Sequence, residues 1–217
     1  MVDSSAQAAA SAPRPGLRAR KKAATMRHVQ STALSLFQEH GFDAVSIEQV
    51  AEAALVSPST VYRYFGTKEG LVIHDEYDDR FRFQVEHCLA RGLGLADAVA
   101  RGLDHIWHDH FIQDQEMVVS RTRMCFDVRS VQAALSLVVN QEVDAIARVM
   151  AASGRWSFRT ARIVASGVAW AIVGAMRNWY DDGFTTDPRE GVDEVLAWLP
   201  ALEATTAATD SRERRAR

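Results

Sequence analysis

Apolar residues in this chain recur every three or four positions, and no segment alternates apolar and polar residues with a period of two over a useful length. A three-to-four spacing buries one stripe of a helix, whereas a half-buried strand needs alternation. The periodicity therefore predicts an all-α fold of about nine helices and no sheet. Met26, Val29, Ala33, Leu36 and Phe37 lie on one face of a helix that stops at Gly41. Ser46 and Gln49 have capping-box spacing at the start of a second, short helix, with Val45 and Val50 placed as a hydrophobic staple. Ser57-Pro58 opens a third, with Ser as N-cap and Pro at the first helical position. That helix ends at Gly66, and Thr67 is placed to cap a fourth running to about Arg91. Further helices are expected over 95–111, 114–127, 129–152, 158–182 and 189–204.

Composition narrows the class. With 217 residues, 47% apolar and 24% charged, the chain has enough apolar side chains for a packed core. No run approaches the roughly 18–20 apolar residues of a membrane span, and the N-terminus lacks the apolar stretch of a secretory signal. Cys88 and Cys125 are too few for a disulfide framework, so a reducing cytoplasm is expected. Net charge is −3 but unevenly spread: +2 over residues 1–72, −7 over 73–204 and +2 over the last 13. A basic head on an acidic body suits a chain whose first third faces an anion. The expected organisation is a flexible basic arm (1–24), a helix-turn-helix domain (25–66), a helical ligand-binding and dimerisation domain (67–204) and a disordered tail (205–217).

Residues 46–65, SIEQVAEAALVSPSTVYRYF, read as two short helices joined by a tight turn, the helix-turn-helix arrangement. Such a pair lays its first helix across the DNA backbone and sends the second into the major groove. Ile47, Val50, Ala51, Val56, Val61 and Phe65 form the internal core. Ser57, Pro58, Ser59, Thr60, Tyr62, Arg63 and Tyr64 are left facing outward, a hydrogen-bonding surface suited to phosphates. Lys68 adds a positive charge beside it.

Residues 25–72 resemble the DNA-binding domain of tetracycline-repressor (TetR) family regulators. The resemblance rests on TMRHVQSTALSLFQEHGFDAVSIEQVAEAA followed by VSPSTVYRYFGTKEGL. Its most specific phrase is Ser57, Thr60-Val61-Tyr62, Tyr64-Phe65, Lys68-Glu69 and Leu71 in register. It implies that Ser46 and Tyr62 bind phosphate with Tyr64 and Lys68 alongside. It also implies that Ser59, Thr60 and Arg63 read bases and that Pro58 meets a thymine methyl; Arg63 is a guanine reader or a phosphate contact. Arg14, Arg18, Arg20, Lys21 and Lys22 either follow the DNA into the minor groove or form a solvated tail. Leu55 stands in the turn where the family usually has Gly. Either the turn is reshaped or Leu55 carries about 1–2 kcal/mol of backbone strain.

The resemblance further implies a ligand-responsive transcriptional regulator, a repressor that binds a palindromic double-stranded operator as a dimer and is released by a small apolar or amphipathic effector. It would sit in a bacterial cytoplasm, on the nucleoid when bound to DNA, without a membrane partner. The alternative is a DNA-binding dimer with no small effector, its body used for protein interaction. Trp107, Phe111, Met124, Phe126 and Trp170, with Met117 and Trp179, fall on helices that surround the ligand cavity in that family; the same residues can fill a core. Ile163 to Met176 holds 14 residues without a charge, and 189–204 carries the stripe Val192, Val195, Leu196 and Leu199. Together they suggest a two-plus-two-helix homodimer contact through 158–182 and 189–204.

Other constellations are weaker. His105, His108 and His110 with Asp104, Asp109 and Asp114 read as a solvated helix face, and no metal is assigned. Arg121 and Arg123 point in different directions, and one turned inward can hold a carboxylate or phosphate. The chain has no Gly-rich phosphate loop, nucleophile elbow, zinc-protease pair or oriented Cys-His arrangement, so neither an enzyme nor a cofactor is expected.

Overall fold

The computed structural model describes residues 16–74 and 77–215, all of whose regular structure is helical. Helices α1 (Leu17–His40), α2 (Ile47–Ala53) and α3 (Pro58–Phe65) form the head. The short α4 (Gly70–Ile73) leads to α5 (Asp78–Ala90), α6 (Leu95–Trp107), α7 (Gln115–Asp127), α8 (Arg129–Ala152), α9 (Phe158–Asp181) and α10 (Pro188–Arg215). A wider, π-type turn over His108–Gln113 joins α6 to α7. Nine of the ten α-helices have seven or more residues.

The caps are as the sequence dictates. Ser46 Oγ accepts from the Gln49 amide while Gln49 Oε1 accepts from the Ser46 amide, a complete capping box. Ser57 Oγ accepts from the Thr60 amide with Pro58 at the first helical position. Thr67 Oγ1 accepts from the Gly70 amide, but α4 lasts one turn and breaks at His74, so the single helix expected to Arg91 is two. The physical cause is remote in sequence. Gln30 Nε2 of α1 donates to the Leu71 and His74 carbonyls. Arg121 of α7 donates to the Val72 carbonyl at 2.7 Å and the Ile73 carbonyl at 2.5 Å. Those carbonyls are satisfied without a further helical turn.

Two assignments at the chain ends need correction. Residues 17–24, expected in a flexible arm, are the first turns of α1; Ala, Arg, Lys and Leu are good helix formers and need no buried stripe to carry them. Residues 1–15 lie outside the described residues. At the other end α10 runs past Ala204 to Arg215, where a disordered tail is expected. The segment Ala-Thr-Thr-Ala-Ala continues an established helix, and elongation costs far less than nucleation.

Two apolar cores organise the packing. The head core, around Val29, Ala33, Phe37, Val50, Val61 and Phe65, also takes in Leu71 and Val72 of α4, Met124 of α7 and Val131 of α8. The body core joins α5, α6, α8, α9 and α10 through residues such as Val85, Leu89, Ala147, Val164, Val168 and Leu199. The packing boundary thus does not fall at residue 66. By packing, α4 belongs to the head, and α7 bridges head and body. Gln38 of α1 also donates to Ser120 of α7 at 2.8 Å.

Candidate nucleic-acid interface

The head turns its polar surface around α3. Ser57 Oγ lies 2.9 Å from both Ser59 Oγ and Thr60 Oγ1, so three hydroxyls cluster on the first turn. Arg63 extends from the next turn, with one guanidinium nitrogen 3.5 Å from Thr60 Oγ1 and its carbon 4.8 Å from the Tyr64 ring centre. Tyr62 is 48% exposed. Pro58 and Ser59 are exposed, while Tyr64 is half-buried against the head core. Val61 and Phe65 are buried, and this anchors α3 by the face opposite to the polar one.

Lys68 has an internal task. Its ammonium donates to the Phe42 carbonyl at 2.9 Å and the Val45 carbonyl at 3.0 Å, and it sits 4.4 Å from the centre of the Phe42 ring. It therefore ties the α1–α2 loop, and with it Ser46 at the start of α2, to the end of α3. While donating to these neutral carbonyls the ammonium keeps its charge and projects positive potential around that loop.

The turn between α2 and α3 resolves the Leu55 question. The Val56 amide donates to the Ala51 carbonyl at 2.9 Å and the Leu55 amide to the Glu52 carbonyl at 3.1 Å, the two bonds of a Schellman motif. Leu55 takes the left-handed position with φ of 55°, and its side chain is 91% exposed. Nothing in its packing offsets the strain. Leu55→Gly is therefore expected to raise stability by about 1 kcal/mol, or roughly 2–4 °C in Tm for a chain this size, measured by thermal unfolding. An unchanged or lower Tm would show that the left-handed turn carries no strain at this position.

The effector residues expected from the sequence do not converge. Met124 lies in the head core. Trp107 stacks on Phe111 at 4.2 Å with the Arg189 guanidinium over its ring. Phe126 packs on Tyr180, and Trp170 is 41% exposed on α9. Among the ring contacts of these five residues, Trp107 and Phe111 meet each other while Phe126 meets Tyr180. The acidic groups among the histidines are also engaged: Asp104 with Arg189, Asp109 with Arg80, and Asp114 with Arg27 and the Tyr77 hydroxyl. Among the described residues no group of His, Cys, Asp and Glu has the arrangement of a metal site.

The expected dimer stripe is likewise redirected. Val192, Val195 and Leu199 are buried inside the chain, where α10 packs on its own body, so they cannot face a partner. A different surface remains open. Ile163 (59%) and Trp170 of α9 and Trp198 (61%) and Leu202 of α10 are exposed. The two helices meet there, since a Cβ added at Gly167 would stand 3.6 Å from Leu202 Cδ2.

Sequence reasoning missed the roles of three groups that fix α4 and the junction of head and body. Gln30 occupies the buried stripe of α1, and a polar residue at an apolar position was its only signal. Arg121 donates to carbonyls of α4. Tyr77, 4% exposed, donates to Asp114 at 2.7 Å and accepts from Arg27 at 2.7 Å.

A helix-turn-helix head with an exposed hydroxyl and arginine face, carried on a helical body, is the arrangement found in helix-turn-helix DNA-binding proteins. The model of the bacterial regulatory proteins of the tetR family matches residues 31–74, so the head is similar to the DNA-binding domain of that family. The HTH-type transcriptional regulator TcmR of Streptomyces glaucescens is 41% identical over 59 residues, 27% of this chain and 26% of TcmR. The regulator YdeS of Bacillus subtilis is 37% identical over 49 residues, 23% of this chain and 25% of YdeS. The matched region thus spans about a quarter of the length of these curated relatives. In fold, the chain is similar to the fatty acid degradation regulator FadR of Bacillus halodurans, with a TM-score of 0.53 and 15% identity over 80% of this chain and 96% of FadR. It is also similar to a TetR-family regulator of Streptomyces coelicolor A3, with a TM-score of 0.51 and 23% identity over 88% of this chain and 98% of that one. No helix among the described residues is long and apolar enough to cross a membrane.

Proposed function

We propose that the protein is a dimeric transcriptional repressor that binds a palindromic operator through α3 of each subunit. The observation that carries the reading is the outer face of α3 and its N-cap, where Ser57, Ser59, Thr60, Tyr62 and Arg63 share one polar side over a buried Val61 and Phe65 anchor. Ser59, Thr60 and Arg63 read base edges, Pro58 offers an apolar contact, and Ser46, Ser57, Tyr62 and Tyr64 bind phosphate. Lys68 acts through the loop it ties down. Dimerisation uses the exposed Ile163, Trp170, Trp198 and Leu202 surface. Two heads related by a two-fold axis then meet half-sites about 34–36 Å apart or an equivalent spacing. Such a protein works in the cytoplasm, on the nucleoid when DNA-bound.

Release follows from a change in head spacing. An effector that prefers a subunit arrangement unsuited to the operator drains the DNA-competent state, and a swing from nearly full to nearly empty needs about 5.5 kcal/mol of preference. One observation favours the alternative of a DNA-binding dimer without a small effector: the aromatics expected around a cavity lie in separate environments. In that reading the body serves a protein partner.

The test is selection from a random duplex pool, followed by titration of the selected duplex against scrambled DNA. Wild type should discriminate by at least 10³-fold. Arg63→Ala should reduce that discrimination by about 1–3 kcal/mol at one base position if Arg63 reads a base. A uniform loss on all sequences with a smaller salt slope would make Arg63 a phosphate contact instead. A wild type that selects no duplex would overturn the reading.

A further inference from the structure

The first buried residue of α1 is Met26, so residues 17–25 stand clear of the head core as more than two turns of helix. One face of this projection carries Arg18, Lys21, Lys22 and Thr25. It forms one wall of an open groove of about 1120 Å³ whose other wall is Arg63 and Tyr64 of α3. Four cationic side chains thus line a single groove. Lys22 is paired with Asp79 of α5 at 3.4 Å. Burial pushes the Asp79 carboxyl up, but Lys22 and Arg82 outweigh it and hold the pKa below the usual carboxylate value. No carboxylate among the described residues pairs with Arg18 or Lys21.

We infer that this groove seats a phosphodiester strand of the DNA, gripped between the projecting face of α1 and the Arg63–Tyr64 end of α3. The inference rests on the proposed DNA-binding function and extends its footprint beyond the recognition helix. The argument is one of charge and shape. Like charges facing one another across an open groove repel, and a polyanion threaded between them removes the repulsion and releases its own counterions. Tyr64 places an aromatic ring on the wall opposite α1, a group suited to sugar, while the Thr25 hydroxyl is occupied in donating to the Lys21 carbonyl of its own helix. Because residues 17–25 are helical, Arg18 and Lys21 approach the strand as side chains one turn apart on a rigid rod. The contacts of Arg18 and Lys21 are sequence-independent, so the α1 wall adds affinity and salt dependence and leaves base preference to α3.

The experiment compares wild type, Arg18→Ala/Lys21→Ala and Arg20→Ala on the duplex selected by the full-length protein, by anisotropy titration across several salt concentrations. Circular dichroism confirms equal helicity. Arg20 is exposed but does not line the groove, and serves as the control. The double variant should lower the slope of log affinity against log salt by about 2, close to 0.9 per phosphate contact. Arg20→Ala should lower it by much less, with the ratio of selected to scrambled binding unchanged in both. Hydroxyl-radical footprints should lose protection at the phosphates flanking each half-site. An unchanged slope, or an equal drop for Arg20→Ala, overturns the groove while leaving the repressor reading intact. A wild type that selects no duplex overturns both.

Discussion

Arg121→Ala is expected to lower the thermal midpoint by roughly 4–12 °C, the shift that a loss of about 2–3 kcal/mol produces in a chain of this size. The guanidinium donates to the Val72 and Ile73 carbonyls at the end of α4, and no continuing helix takes over those acceptors. Removing it strands half-buried carbonyls, at a cost of about 1–3 kcal/mol for each such group. Arg121→Lys should recover only part of the loss, because an ammonium cannot reproduce a planar fork across two neighbouring carbonyls. Arg123→Ala is the internal comparison. Arg123 is exposed with its guanidinium over the Phe184 ring, and its loss should cost less than about 1 kcal/mol. Equal effects of the two alanines would mean that α4 is not held from α7.

The second large effect concerns the surface of α9 and α10. Trp170→Glu combined with Trp198→Glu should convert a dimer to a monomer, measured by sedimentation, and weaken operator binding about 10²–10⁴-fold. Both indoles are exposed, and neither is needed by the body core, so the fold and the far-ultraviolet spectrum should stay intact. Val192→Ala makes the contrast clear. Val192 is 1% exposed within the chain's own core, so it should lose stability without changing the oligomeric state. A double glutamate variant that remains dimeric would place the subunit contact elsewhere.

Both predictions turn on features that periodicity could not supply. The caps of α2 and α3 were legible because capping is local: Ser46 with Gln49 and Ser57 with Pro58 specify their own geometry within four residues. The bounds of α8 at Arg129 and Ala152 were legible for a similar reason, with an extended Val128 before it and Gly154 after. The break after α4 was not. Leu71, Val72, Val85 and Leu89 continue a helical pattern across it, and the groups that make the break lie more than 40 positions away. The first turns of α1 escaped notice because they bury nothing, and burial is the signal that periodicity reads. Large apolar residues at helical spacing are also ambiguous. Trp107 and Met124 obey the same pattern yet belong to different cores. The exposed polar face of α3 was the most legible part, since such a face on an anchored short helix follows from the residues of α3 alone.

The unbroken length of α1 has a mechanical consequence. Its 24 residues form one rod, clamped over Met26 to Phe37 and met between Leu17 and Thr25 by the exposed Lys22–Asp79 pair, which braces it little. This lightly held end is about 13 Å long at 1.5 Å per residue. A tilt of about 15° at the clamp sweeps the tip through roughly 3–4 Å, comparable to a hydrogen-bond length, while the clamped part hardly moves. Gln30 and Gln38, which bind α4 and α7, lie in and beside the clamp. A small rotation of the body against them is thereby geared up at the far end of the rod, so the grip most remote from the body is the one its motion displaces most.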